Sequence, residues 1–173
     1  MKKQVNLCVK IIGVGDGASN IINRIKKRVE RIGEWILINA DEIDLRTSAA
    51  DVNIQIEHKS DFDKITEAIS GCDKLIVIAC LGGETGTGIS SVVSKLATDM
   101  KISTEVIVTM PFKFEGRIRS QRAEKGVKAL IEVADKVTVI SNGDYRRDSD
   151  RSFAETFSSI DEAILRKINK IMV

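Results

Sequence analysis

The sequence predicts an α/β domain with a largely parallel sheet, on three observations. Short β-branched apolar runs alternate with amphipathic segments of helical period. The strongest of these runs is continuously apolar, as a strand covered on both faces is. Two glycine clusters each follow a strand and open a helix. Only one proline, Pro111, and no linker, repeat or low-complexity tract interrupt the chain, so residues 1–173 read as a single domain.

The elements follow in order. Residues 7–12, ending at glycines, read as a buried strand. Ile21, Ile22, Ile25, Val29 and Ile32 fall at helical spacing. Residues 35–39 form a second strand and residues 52–56 a short, half-polar third. A short helix spans about 61–70, capped by Ser60 or Asp61. Residues 74–79 are the clearest strand, followed by a helix whose apolar face is Ile89, Val92, Val93, Leu96 and Met100. A strand over 105–109 is halted by Pro111. A helix over 117–133 and a strand over 137–140 come next. Phe153, Phe157, Ile160, Ile164, Ile168 and Ile171 then line a long closing helix.

Composition excludes several classes. Hydrophobic residues are 43% and charged residues 30%, an ordinary globular balance. With 27 basic against 25 acidic side chains, a net charge of +2, nothing points to a nucleic-acid or membrane partner. Aromatics at 4% argue against a platform for stacking nucleic-acid bases. Cys8, Cys72 and Cys80, with the single histidine His58, make no zinc site and read as free thiols in a reducing compartment. No metal site is expected from the sequence. No apolar run approaches the roughly 20 residues of a membrane helix. Lys2-Lys3-Gln4 leads into a strand rather than a signal segment, so a cytoplasmic location is expected.

In parallel sheets, ligands sit at the carboxyl ends of the strands, which directs attention to the glycine clusters. The first is Gly13-Val14-Gly15-Asp16-Gly17-Ala18-Ser19-Asn20, and the second Gly82-Gly83-Glu84-Thr85-Gly86-Thr87-Gly88. Glycine lets backbone approach an anion, and the helix behind it offers free N–H groups and a favourable dipole. Thr85 and Thr87 add hydroxyl donors. Neither cluster is a P-loop, because no Lys-Ser or Lys-Thr follows. Tight structural turns are the alternative for each cluster alone. A dinucleotide-dependent oxidoreductase is another reading, with Asp41 as the acidic residue after the second strand, but it leaves the second cluster unexplained. Asp41 is equally a cap for a helix beginning at Glu42.

Five ordered segments resemble the tubulin/FtsZ family. Residues 81–88 are similar to its Gly-Gly-Gly-Thr-Gly-Thr/Ser-Gly signature. Residues 111–119 resemble Pro-Phe-x-Phe-Glu-Gly-x-x-Arg. Ile12-Gly13-Val14-Gly15 with Asn20 is similar to the family's first glycine loop, Asn39-Ala40-Asp41 to Asn-Thr-Asp, and Ile140-Ser141-Asn142 to Ile-Pro-Asn. The resemblance implies a Rossmann-like three-layer domain with a mostly parallel six-stranded sheet that binds GTP or GDP, with Mg²⁺ as a companion ion. It implies that Gly13, Gly15, Asp16, Gly17 and Asn20 lie toward the α-phosphate and base. Gly82, Gly83, Glu84, Thr85, Gly86 and Thr87 would lie around the β- and γ-phosphates, and Glu115 and Arg119 near the ribose. Asn142 would bond the guanine, Phe157 stack on it, and Asp161, one helical turn later, accept from its two adjacent donors.

Three departures temper that expectation. Glu84 stands where the signature has its third glycine, which suits a polyphosphate only if the carboxylate turns outward or a Mg²⁺ intervenes. Asp16 and Ser19 likewise replace glycines. The family's γ-phosphate-sensing insertion is missing where Glu57-His58-Lys59-Ser60 leads straight to a helix. The family's catalytic acidic loop follows the long helix in which this sequence stops, so negligible hydrolysis by the chain alone is expected, with no catalytic residue of its own. The implied role is bacterial cell division or cytoskeletal assembly, with guanine nucleotide and either itself or a full-length relative as partners. The alternative is an interaction module that binds little nucleotide and modulates or caps a relative's filaments.

Overall fold

The computed structural model describes residues 7–29, 32–146 and 150–173. Six strands form one wholly parallel sheet in the order β3-β2-β1-β4-β5-β6. They are β1 Val9–Val14, β2 Glu34–Asn39, β3 Val52–Gln55, β4 Lys74–Cys80, β5 Ser103–Met110 and β6 Lys136–Ser141. The helices are α1 Asp16–Ile25, α2 Glu42–Arg46, α3 Phe62–Ile69, α4 Glu84–Asp99, α5 Arg117–Val133 and α6 Phe153–Met172. Among the described residues, no helix is long and apolar enough to cross a membrane.

Strand side chains alternate between two cores, because successive residues point to opposite faces. Ile11, Leu37, Ile76 and Ile107 face α1, α2 and α6. Ile12, Ile36, Val77 and Val106 face α3, α4 and α5. The central β4 is buried throughout residues 75–79, which accounts for its unbroken apolar sequence. The long closing helix is α6, whose Ile160, Ile164 and Ile168 are almost fully buried. Its start is fixed by a capping box: the Ser152 hydroxyl accepts from Glu155 N at 3.2 Å, and the Glu155 carboxylate accepts from Ser152 N at 2.8 Å.

Three sequence readings are corrected. The first strand begins at Val9 and runs on through Gly13 and Val14, which pair with both neighbouring strands. The first helix begins at Asp16 and ends at Ile25, with only a 3₁₀ turn, Lys26–Arg28, beyond it; Ile32 is not helical. The glycine cluster is therefore largely the first turn of α1, and likewise residues 84–88 are the first turn of α4. Glycine costs a helix only about 1 kcal/mol each, which the buried face behind it offsets. Neither Ser60 nor Asp61 caps α3. The Asp61 carboxylate instead accepts from the backbone of Glu57 and His58, closing a 3₁₀ turn, Lys59–Asp61.

Candidate functional site

The strand order reverses between β1 and β4, and both glycine clusters leave the sheet there. Such a switch point is where open parallel sheets bind ligands. Gly15 caps α1 at φ +84° and Gly83 caps α4, and neither helix start receives a side-chain cap. By contrast α2 is capped by Asp41, whose carboxylate accepts from Ile43 N at 2.8 Å, and α6 by Ser152. Asp41 is thus placed as the cap that one sequence reading allowed. Gly116 caps α5 in the same way, but it is the α1 and α4 starts that press together. A Cβ on Gly15 would lie 3.1 Å from Gly86 N, and one on Gly86 would lie 2.5 Å from Cys80 O. Two N-terminal dipoles with uncapped donors therefore converge, an arrangement suited to an anion.

Gly82, at φ +112°, needs glycine's freedom to turn from β4 into α4. Its N–H donates to Thr87 Oγ1 at 2.9 Å, so the Thr87 hydroxyl closes the loop from inside. Glu84 is the first residue of α4, with its side chain 88% exposed. It turns outward, toward Arg122 of α5 at 3.7 Å, and Arg122 also donates to Gly82 O at 3.1 Å. Gly13 is explained by packing: a Cβ there would meet Ile22 Cδ1 at 2.4 Å.

Beside these helix starts lies a cavity of about 430 Å³. Gly17, Asn20, Glu115, Arg119, Asn142 and Phe157, all singled out from sequence, line it. Gly13, Gly15, Asp16, Asp41, residues 82–87 and Asp161 do not. Sequence reasoning missed Arg24, Cys80, Thr109, Phe112, Phe114 and Phe153, which also line it. Four of the five phenylalanines gather here, so a low aromatic content still yields an aromatic wall. Phe112 stacks on Phe114 at 5.0 Å and meets Phe157 edge-on at 6.1 Å. The Arg146 guanidinium lies 3.8 Å over the Phe153 ring. Burial pushes the Cys80 thiol up, leaving it a neutral wall atom.

Polar groups define the rest. Asn142 is 8% exposed, and its Oδ1 is a buried acceptor with no hydrogen-bond partner in the protein. Such an orphan costs about 1–3 kcal/mol unless a ligand satisfies it. Glu115 accepts from Phe112 N at 2.8 Å and pairs with Arg119 at 3.0 Å, which fixes the turn bearing the aromatics. Asp161 is nearly buried behind the wall and pairs with Arg24. No group of three or more His, Cys, Asp or Glu residues suited to a metal ion occurs among the described residues.

At the first residue of α1, Asn39 Nδ2 donates to Asp16 at 2.8 Å and also to Asp44 of α2 at 3.2 Å. Burial, then the Asp16 charge, holds the Asp44 carboxyl above its ordinary range. A raised folded pKa means the ionised form opposes folding, so the penalty is present at neutral pH and vanishes as pH falls below the free carboxyl value. Asp44→Asn is therefore expected to raise the melting temperature at pH 7 by about 1–2 °C. The gain should disappear by about pH 3, where both forms are neutral; thermal melts at the two pH values check this.

The Tubulin/FtsZ family, GTPase domain, model matches residues 57–149. The chain is 33% identical to the Cell division protein FtsZ of Aquifex aeolicus over 193 aligned positions, which cover 99% of this chain and 53% of that protein. An FtsZ dimer structure from M. jannaschii superposes with a TM-score of 0.86 at 26% identity, over 98% of this chain and 55% of that one. The GTPγS-bound CetZ2 protofilament from Haloferax volcanii, at 22% identity and a TM-score of 0.80 over 96% and 58%, shares the fold. The chain spans about half the length of the relatives it matches.

Proposed function

Because the chain belongs to the tubulin/FtsZ family, we propose that it binds guanine nucleotides in the cavity beside the α1 and α4 starts. The observation that carries this is Asn142 Oδ1, a buried acceptor in the cavity wall that a base N–H would satisfy. Phe157 offers the ring on which the base stacks, and Asp161 the carboxylate that suits guanine's adjacent donors. The phosphates would run to the converging N-termini around Gly15, Asp16, Gly17 and Gly82 to Thr87. Glu115 and Arg119 would lie along the ribose. A bound nucleotide supplies the negative charge that the uncapped helix ends attract. Mg²⁺ would be carried in with the polyphosphate, and Glu84, turned outward to Arg122, would leave room for both.

Competition against a fluorescent GDP analogue tests the reading. GDP and GTP should displace the probe, and ADP and ATP should not; equal displacement by adenine nucleotides contradicts it. Only residues 56–58 separate β3 from the 3₁₀ turn before α3, leaving no γ-phosphate-sensing insertion. GDP and GTP affinities should therefore agree within about threefold.

Glu115, the one carboxylate among the described residues lining the cavity, is held by Phe112 N and Arg119, so the chain alone should release phosphate from GTP no faster than the uncatalysed background. Sustained turnover in a phosphate-release assay would refute that. We further propose a role in cell division or cytoskeletal assembly, through association with itself or a full-length relative. Three free cysteines suit the reducing cytoplasm. The interaction-module alternative loses one ground, since Glu84 points away from the loop. Co-sedimentation with a relative's filaments, with and without GDP, separates the two.

A further inference from the structure

Resting on the guanine-nucleotide reading, we infer that Arg24 is a built-in competitor for the purine end of the site. Its guanidinium holds Asp161 by the paired contact guanine would make, and a nucleotide gains Asp161 by displacing it. Arg24 Nε donates to Asp161 Oδ2 at 2.6 Å and Nη2 donates to Oδ1 at 2.9 Å, so both carboxylate oxygens are taken. The same guanidinium stands 5.7 Å over the Phe157 ring, the surface on which a base would stack.

The mimicry is chemical. Guanine's N1–H and C2 amino group are themselves a nitrogen–carbon–nitrogen donor pair, matching the fork that Nε and Nη2 present. Only a base returning both hydrogen bonds leaves the buried carboxylate satisfied after the exchange. Adenine, whose N1 is an acceptor, returns at most one of the two and sets an acceptor against the other carboxylate oxygen. The exchange is also mechanically open. The Arg24 side chain is 40% exposed and can move into solvent, while Asp161 at 6% cannot. Arg24 sits one helical turn after Asn20, and both line the cavity.

The packing of α1 on α6 does not depend on this pair. Ile21, Ile22 and Ile25 share a core with Ile160, Ile164 and Ile168, and Arg28 pairs with Glu162 at 2.5 Å.

The test is GDP binding by stopped-flow and calorimetry to the wild-type chain, Arg24→Met and Arg24→Lys. Methionine keeps the apolar stem without the fork, and lysine keeps the charge without it. A closed site lowers apparent affinity by the fraction of molecules that are open. Arg24→Met should therefore bind GDP about tenfold tighter, through a faster association rate, with Arg24→Lys between it and wild type. Binding by Arg24→Met alone, with none by wild type, supports the inference as strongly. If wild type binds and Arg24→Met binds equally or more weakly, Arg24 is part of the bound site and the inference falls, while the guanine reading stands. If no folded form binds GDP, the guanine reading itself fails and takes this inference with it. Should Arg24→Met fail to fold by near-ultraviolet circular dichroism, the charge-retaining Arg24→Lys decides alone.

Discussion

Asp161→Asn is expected to weaken GDP binding by about 100-fold or more. The carboxylate is buried on α6, one turn from Phe157, where it can accept two hydrogen bonds from one edge of a base. Asparagine keeps the shape but replaces one acceptor with an N–H₂ donor, so one guanine donor faces a donor. Losing charge-assisted bonds of about 1.5–3 kcal/mol each gives that factor. The substitution also frees Arg24, but releasing a competitor gains nothing once the acceptor is gone. Adenine nucleotides should not gain what guanine nucleotides lose. Competition against fluorescent GDP measures the effect, and an unchanged affinity would remove Asp161 from the site.

Gly86→Ala is expected to disable the phosphate end and to destabilise the fold. The added Cβ would lie 2.5 Å from the Cys80 backbone oxygen and 3.5 Å from that of Val14. A backbone atom cannot swing aside as a side chain does, so the first turn of α4 must lift from the ends of β1 and β4. That movement separates Gly86 from Gly15 and parts the two helix starts. Overpacking of this kind costs about 1–3 kcal/mol, readable by urea denaturation, and GDP affinity should fall more than about tenfold. Gly88→Ala is the control. Nothing lies within 4 Å of its Cβ position, inside the same helix. There alanine should stabilise by up to about 1 kcal/mol and leave binding unchanged.

The sheet was legible because each strand's burial is written in its own residues. The continuous run Leu75 to Ala79, short and rich in β-branched residues, reads as a strand covered on both faces, which its burial matches. The helix starts were less legible, since glycine-rich residues read as loop by composition. Only the converging geometry shows Asp16 and Glu84 to be helical. Among the cavity residues, Asn142 stood in an ordered motif, while Phe157 was singled out by the family resemblance and its place one turn before Asp161. Arg24 escaped notice because its partner lies on another helix, 137 residues away. Phe114 and Phe153 reach the cavity through packing between the 3₁₀ turn Lys113–Glu115 and the start of α6, which no local period records. The direction of Glu84 was likewise hidden, because it depends on its place at the first position of α4 and on Arg122 across the groove.

The cavity beside Asn142 is proposed as a guanine-nucleotide site. Calorimetric titration of the nucleotide-stripped chain with GDP in the presence of Mg²⁺ tests it most directly. Saturable one-to-one binding, micromolar or tighter and lost in Asp161→Asn, is the predicted result. The absence of any saturable heat from a folded protein would contradict it.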